Sequence, residues 1–289
     1  MKGIVLAGGT GSRLWPVTKV ISKQLLPVYD KPMVYYPIST LMLAGIRDIL
    51  VICTPQDLKN FEFLLKDGTQ WGISIKFCTQ EKPKGIAEAF LIGEKFIGTE
   101  SIALILGDNI FHGQGLGNNL RQYSVVSGAQ IFGYKVNNPE EYGVAIIDVT
   151  GRVSQIVEKP TEKISKWAVP GLYFYDHSVI ERAKELKPSI RGELEITDIN
   201  LSYLADDELS IQLLQRGTVW FDSGTVDSIN HASEYVRIIE ERQGTKIGCP
   251  EEIAWNSGWI SDAQLQITSK SYANSPYGQY LFNLVERRY

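Results

Sequence analysis

Glycine, arginine and aspartate stand in this chain at spacings that suit phosphate chemistry. The segment Leu6-Ala7-Gly8-Gly9-Thr10-Gly11-Ser12-Arg13-Leu14 sets three glycines directly after an apolar run. Without a Cβ, glycine lets backbone N–H groups approach phosphate oxygens, and Arg13 adds a permanent positive charge. Taken alone, the turn reads equally well as plain structure or as a phosphate cradle. It is not a Walker loop, because no Gly-Lys-Ser/Thr follows, and it does not complete the fingerprint G-x-G-x-x-G. Asp108 closes the apolar run 102–106. That puts it at the carboxyl end of a buried strand, where open α/β sheets bind their ligands. A carboxylate there suits Mg2+, which takes one or two such ligands beside substrate phosphates. His112, His177 and His231 have no metal-ligand spacing, and no G-x-S-x-G elbow provides a serine nucleophile.

The elements that must position these groups follow from hydrophobic periodicity. Residues 2–7, 48–53, 73–78 and 102–106 read as buried strands. Helical stretches at 34–44, 59–65 and 86–96 alternate with them, which predicts a mostly parallel, Rossmann-like sheet with helices on both faces. Beyond it the rhythm changes. Strands are predicted at 129–136, 143–148, 153–158 and 171–175 with little helix between, forming a smaller antiparallel extension or a lid over the sheet. Amphipathic helices are predicted at 198–206 and 228–243, and the stripe of Ile229, Ala232, Tyr235, Val236 and Ile239 reads as core packing. The tail after Ile267 carries no chemical signal.

Composition narrows the function classes. A chain of 289 residues with 44% hydrophobic content can bury a full α/β core. A net charge of -4 provides no electrostatic footprint for nucleic acid. Cys53, Cys78 and Cys249 are odd in number and far apart, so neither a disulfide framework nor a zinc cluster is expected, and a reducing cytoplasm fits. The N-terminal apolar run is too short for a signal sequence, and no run of about 18 apolar residues predicts a membrane span.

Ten residues beyond Arg13 comes Ser22-Lys23-Gln24-Leu25-Leu26-Pro27, then Asp30-Lys31-Pro32-Met33. With the glycine loop, these segments resemble the sugar-1-phosphate nucleotidyltransferases, whose signature pairs G-G-x-G-[ST]-R-L with a downstream lysine. The form 23–37 is most similar to the thymidylyl-transferring branch. The resemblance continues through Leu106-Gly107-Asp108-Asn109-Ile110-Phe111, Glu158-Lys159-Pro160, Gly171-Leu172-Tyr173-Phe174-Tyr175-Asp176 and Arg191-Gly192-Glu193-Leu194-Glu195-Ile196-Thr197-Asp198, covering nearly the whole chain.

The resemblance implies attack of a glucose-1-phosphate oxygen on the α-phosphorus of dTTP, with pyrophosphate leaving. A phosphate monoester with a second pKa of about 6 is already largely ionised at neutral pH, so no general base is needed and the burden is electrostatic. By resemblance Asp222 joins Asp108 in holding Mg2+. Arg13 and Lys23 become the catalytic contacts to the triphosphate and the transition state. Leu6, Gly8, Gly9, Thr10, Gly11, Gln24 and Asp108 become nucleotide contacts. Lys159 is implied to bind the sugar phosphate, and Gly143, Glu158 and Val169 to hold the hexose. Gln80 offers an amide that can match the imide edge of thymine or uracil, and Pro83 and Gly85 line the same pocket by resemblance. Here the chain departs from the family's usual Pro-Asp-Gly-Leu-Ala-Gln-Ala, reading Pro83-Lys84-Gly85-Ile86-Ala87-Glu88-Ala89.

The implied organisation is a nucleotidyltransferase domain over 1–240, its nucleotide half about 1–120 and its sugar half about 121–240. A C-terminal helical extension covers 241–289, and the implied assembly is a homotetramer. The family's second, feedback nucleotide site corresponds to 109–113 and 249–256, where His112 and Asn256 stand in place of the usual tyrosine and arginine. Blunted feedback is the expectation. Two competing readings are the same reaction with UTP and a non-catalytic nucleotide-sugar sensor. The sensor would require loss of Arg13, Lys23, Asp108 or Asp222, all of which are present.

Overall fold

The computed structural model describes residues 1–9, 11–272 and 274–286. Strand β1 (Lys2–Ala7) leads through the glycine loop into short 3-10 turns at Ser12–Leu14, Val17–Lys19 and Lys23–Leu25, then a hairpin of β2 (Pro27–Val28) and β3 (Lys31–Pro32). There follow α1 (Tyr35–Leu43), β4 (Asp48–Cys53), α2 (Leu58–Leu65), β5 (Ser74–Thr79), α3 (Glu88–Ile92), α4 (Glu94–Ile97) and β6 (Ile102–Leu106). The middle of the chain forms β7 (Asn109–His112), α5 (Leu116–Arg121), β8 (Ala129–Lys135), β9 (Gly143–Ile147), β10 (Val153–Glu158), β11 (Trp167–Ala168) and β12 (Leu172–Tyr175). Last come α6 (Val179–Glu185), α7 (Ile196–Ala205), β13 (Leu209–Leu213), β14 (Val219–Asp222), α8 (Val226–Gln243), α9 (Pro250–Asn256), α10 (Asp262–Ser271) and α11 (Pro276–Glu286).

A ten-stranded sheet runs in the order β10-β9-β11-β8-β12-β6-β1-β4-β5, with β13 added beside β8. Strands β5, β4, β1 and β6 pair in parallel, and β12 pairs antiparallel to both β6 and β8. Because β13 is parallel to β8, the strands β5, β4, β1, β6, β8 and β13 all point one way. The expected mostly parallel sheet is therefore present, with β12 reversed inside it. The antiparallel strands β9, β10 and β11 continue this sheet at its edge rather than forming a lid over it.

Alternation along the central strands explains their unbroken apolar sequences. Val5, Ile49, Val51, Ala103 and Ile105 face one layer, where α1, α2 and the C-terminal helices bring Ile38, Leu41, Phe61, Leu65, Trp255, Leu265 and Leu281. Ile4, Leu6, Leu50, Ile52, Ile102 and Leu104 face the other, against Phe90, Ile97, Val179, Ile180, Ile199 and Tyr203 of α3, α4, α6 and α7. A strand covered on both faces has no reason to alternate with polar residues. A third, smaller core beneath α8 joins Val28, Met33, Tyr36, Ile110, Ala232 and Val236. No helix among the described residues is long and apolar enough to cross a membrane.

Candidate active site

Beyond β6 the chain turns at Gly107-Asp108 and enters β7, which pairs antiparallel with β14. The register sets Asp222 opposite Asn109, and the Ser223 N–H donates to the Asp108 carbonyl at 2.9 Å. Two carboxylates more than a hundred residues apart in sequence thus lie beside each other. Gly107 makes the turn possible, since a Cβ there would stand 2.8 Å from Cγ of the buried Gln24 and 3.0 Å from the Leu6 carbonyl oxygen. Asn109 organises the corner. Its amide donates to Asp108 Oδ1 at 3.0 Å, and its oxygen accepts from the Gly171 N–H at 2.9 Å and the Trp220 indole at 2.7 Å.

Lys23, on the third 3-10 turn, donates its ammonium to Asp108 Oδ2. Burial opposes ionisation of Asp108, but the Lys23 charge and hydrogen bond hold its carboxyl below the usual range. Asp222 responds oppositely. Burial, with the Asp108 charge added to it, pushes its carboxyl up to about 6 despite Lys23, Arg13 and Lys159. A site with one carboxylate ionised and its neighbour reluctant is short of positive charge. A divalent cation would let both ionise, so the pair fits a metal by charge and by donor type.

Arg13 projects into the same cleft. Gly11 adopts the left-handed conformation, φ 57°, and the Thr18 hydroxyl holds its carbonyl at 2.7 Å. Buried Leu14 then anchors the turn and leaves the Arg13 side chain exposed. Thr10 lies outside the described residues. Three adjoining cavities of about 240, 300 and 180 Å3 all include Arg13 and Asp222 in their walls. Lys23 and Asp108 line the first, Lys159 the second and third.

The 180 Å3 cavity is also lined by Gly143, Glu158, Val169, Thr197 and Trp220. Gly143 faces Glu158 across the β9–β10 ladder, and the Val169 N–H donates to the Gly143 carbonyl at 2.8 Å. A Cβ on Gly143 would lie 2.9 Å from Glu158 Oε2, so glycine keeps that carboxylate in the cavity wall. Thr197 donates to the same oxygen at 2.9 Å. Lys159 takes a positive φ of 45° as β10 ends before Pro160, a conformation costly for a residue with a Cβ. Nothing local in the sequence marks Thr197 or Trp220 for this cavity, and Asn109 stands there only within the second-site stretch 109–113; their place in this site comes from long-range pairing.

On the other side of the glycine loop, Gln80 follows β5 and is 4% exposed. Its amide nitrogen donates to Glu88 Oε2 at 2.8 Å and to the Gly85 carbonyl at 3.3 Å. Its oxygen lies so near Gly8 that a Cβ there would stand 2.5 Å away. Gly85, with φ 102°, presses on the 189–195 loop: a Cβ would come within 2.3 Å of the Leu194 carbonyl oxygen. Two backbone bonds close that contact, from the Leu194 N–H to the Lys84 carbonyl at 2.7 Å and from the Ala87 N–H to the Leu194 carbonyl at 3.1 Å. Pro83 precedes this junction.

The family model for nucleotidyl transferase matches residues 2–237. The chain belongs to the nucleotidyl transferase family. It is an enzyme of that family. A glucose-1-phosphate thymidylyltransferase of Mycolicibacterium smegmatis is 55% identical over 287 residues, covering 99% of this chain and 100% of the relative. One from Neisseria meningitidis is 52% identical over 288 residues, again covering 99% and 100%. Among solved structures, a Bacillus anthracis protein assigned as a glucose-1-phosphate thymidylyltransferase, in complex with sucrose, superposes with a TM-score of 0.76 at 41% identity, covering 82% of this chain and 95% of that one. A UDP-glucose pyrophosphorylase bound to UDP-glucose gives 0.73 at 25% identity, covering 82% and 98%.

A separate cavity of about 380 Å3 lies between α1, the end of β7 and the 246–256 segment, with His112 and Asn256 both in its wall. The two stretches that the family resemblance assigned to a second site are thus brought together. His112 shares a 2.8 Å hydrogen bond with the Tyr235 hydroxyl of α8.

Proposed function

We propose that this enzyme transfers a deoxythymidylyl group from dTTP to glucose-1-phosphate, yielding dTDP-glucose and pyrophosphate. The observation that carries the reading is the β7–β14 corner, where Asp108, Asp222 and Lys23 share one cleft with Arg13 and Lys159 and open toward Glu158. The names of the relatives at 52% identity and above support this substrate pair.

A phosphate oxygen of the sugar attacks the α-phosphorus; the new P–O bond forms as the bond to pyrophosphate breaks. The nucleophile is ionised, so the chain's own groups act by neutralising and aligning charge. Mg2+, held by Asp108 and Asp222, would supply charge neutralisation at the phosphates. Arg13 and Lys23 bind the triphosphate and the charge that develops on the leaving group. Lys159 holds the sugar phosphate, while Glu158 and the backbone at Gly143 and Val169 take the hexose hydroxyls. Leu6, Gly8, Gly9, Gly11 and Gln24 line the nucleotide, and Gln80, Pro83 and Gly85 take the base.

Likeness to a UDP-glucose pyrophosphorylase keeps UTP as the second donor to test. Thymine exceeds uracil by one methyl, worth about 1 kcal/mol of burial, so UTP should trail dTTP by roughly tenfold or less. Pyrophosphate release is measured with each nucleoside triphosphate against glucose-, galactose- and mannose-1-phosphate. The expected fastest pair is dTTP with glucose-1-phosphate; no release with any pair overturns the reading. The family resemblance also supports a homotetramer, which sedimentation would test as four times the 32.4 kDa chain.

A further inference from the structure

We infer that Glu88 is a positioning residue that makes Gln80 a fixed hydrogen-bond acceptor toward the base, and thereby sets which bases the site admits. The inference rests on the reading of Gln80 as the base contact. A glutamine amide can present either its oxygen or its NH2 to a ligand, and the two faces read opposite base edges. Here the choice is forced. The nitrogen faces two acceptors, Glu88 Oε2 at 2.8 Å and the Gly85 carbonyl at 3.3 Å. Reversing the amide would set its oxygen against a carboxylate and a carbonyl, losing two hydrogen bonds and adding two repulsions. The other carboxylate oxygen of Glu88, Oε1, lies 3.9 Å from the Lys84 ammonium.

The oxygen of Gln80 is consequently the free end. No described residue donates to it, and it is not among the sealed, unpartnered polar atoms of the described residues, which are Ser39 Oγ, Gln70 Oε1, Trp71 Nε1 and Ser223 Oγ. It stands against the glycine loop, where Gly8 leaves room for it. An acceptor fixed there favours a base with a ring N–H, such as the imide of thymine or uracil. It repels a ring nitrogen lone pair, such as N3 of cytosine.

The test measures KM and kcat for dTTP and dCTP in wild type, Glu88→Leu, Glu88→Ala, Glu88→Gln and Gln80→Ala. Glu88→Leu and Glu88→Ala should raise the KM for dTTP by about tenfold with kcat little changed, the cost of losing one charge-assisted anchor. Both should narrow the preference for dTTP over dCTP, because the amide becomes free to turn. Glu88→Gln still offers an acceptor to the Gln80 nitrogen and should keep wild-type values. If Gln80→Ala raises the KM while both truncations at Glu88 behave as wild type, the positioning role is overturned. If Gln80→Ala is itself neutral, the base-contact reading fails, and the inference falls with it.

Discussion

Asp108 and Asp222 sit beside each other on one ladder yet carry opposite perturbations, the first held low by Lys23 and the second raised to about 6 by burial. Replacing either by asparagine preserves volume but removes a charge that a cation needs. Asp108→Asn and Asp222→Asn should each lower kcat by about a hundredfold or more with an unchanged circular dichroism spectrum. Chelation by EDTA should abolish wild-type turnover, and near-normal activity of either variant would remove the metal assignment. Lys159 permits a cleaner separation, because its left-handed backbone conformation costs about 1 kcal/mol that glycine would not. Lys159→Gly should therefore melt no lower than wild type while raising the KM for glucose-1-phosphate; an unchanged KM would contradict its role. Asp108 was legible in the sequence because it follows an unbroken apolar strand, Ile102–Leu106. Asp222 was reachable only through family resemblance, since its partner strand is four residues long and lies over a hundred residues away.

Three short strands, β7, β13 and β14, were not legible in the sequence: they have too few positions to establish a period, and their stability comes from partners distant in sequence. The one-residue break at Gly93, which splits the expected helix 86–96 into α3 and α4, was equally invisible. Helix α8 was legible from its stripe. Its start is fixed by a capping box in which Thr225 and Ser228 exchange side-chain and backbone bonds, just past Asp222. Its far end reaches the 380 Å3 cavity through Glu240, which pairs with Lys246 of the cavity wall. Lys246 also pairs with Asp30, and Arg121 gives its Nε to the Leu43 carbonyl at 3.0 Å, so neither cation is fully free to replace an arginine at 256. Inhibition by dTDP-rhamnose should be weak in wild type and tighten about tenfold or more in Asn256→Arg. Low-micromolar inhibition of wild type, unchanged in the variant, would refute this.

Across the whole molecule, the fold class was legible because two-sided burial writes itself as unbroken apolar strands, whereas the continuation of the antiparallel strands into the same sheet depends on how β8 is shared. Charge is also distributed at this scale. Lys31, 3% exposed, joins Asp30 and Glu240, linking the hairpin after the lysine turn to the last turn of α8. Burial opposes ionisation of Asp30, but Lys31 and Lys246 hold its carboxyl below its ordinary 3.8. A depressed pKa contributes stability above the ordinary value and loses it as pH falls through the folded one. Urea midpoints should therefore decline in acid, and Asp30→Asn should lower stability at neutral pH while flattening that decline; parallel pH profiles would exclude Asp30 as a source. The junction of Gly85 with Leu194 reaches further. The segment that follows Gln80 and the segment that leads into Thr197 are joined through backbone atoms, so the junction tolerates side-chain exchange everywhere but at Gly85, where a Cβ would press on Leu194. Base side and sugar side are therefore tied by the course of the main chain: a chimera that transplants the sugar-side loop from a relative should keep its base pocket only if that loop carries its backbone past Gly85 along the same path.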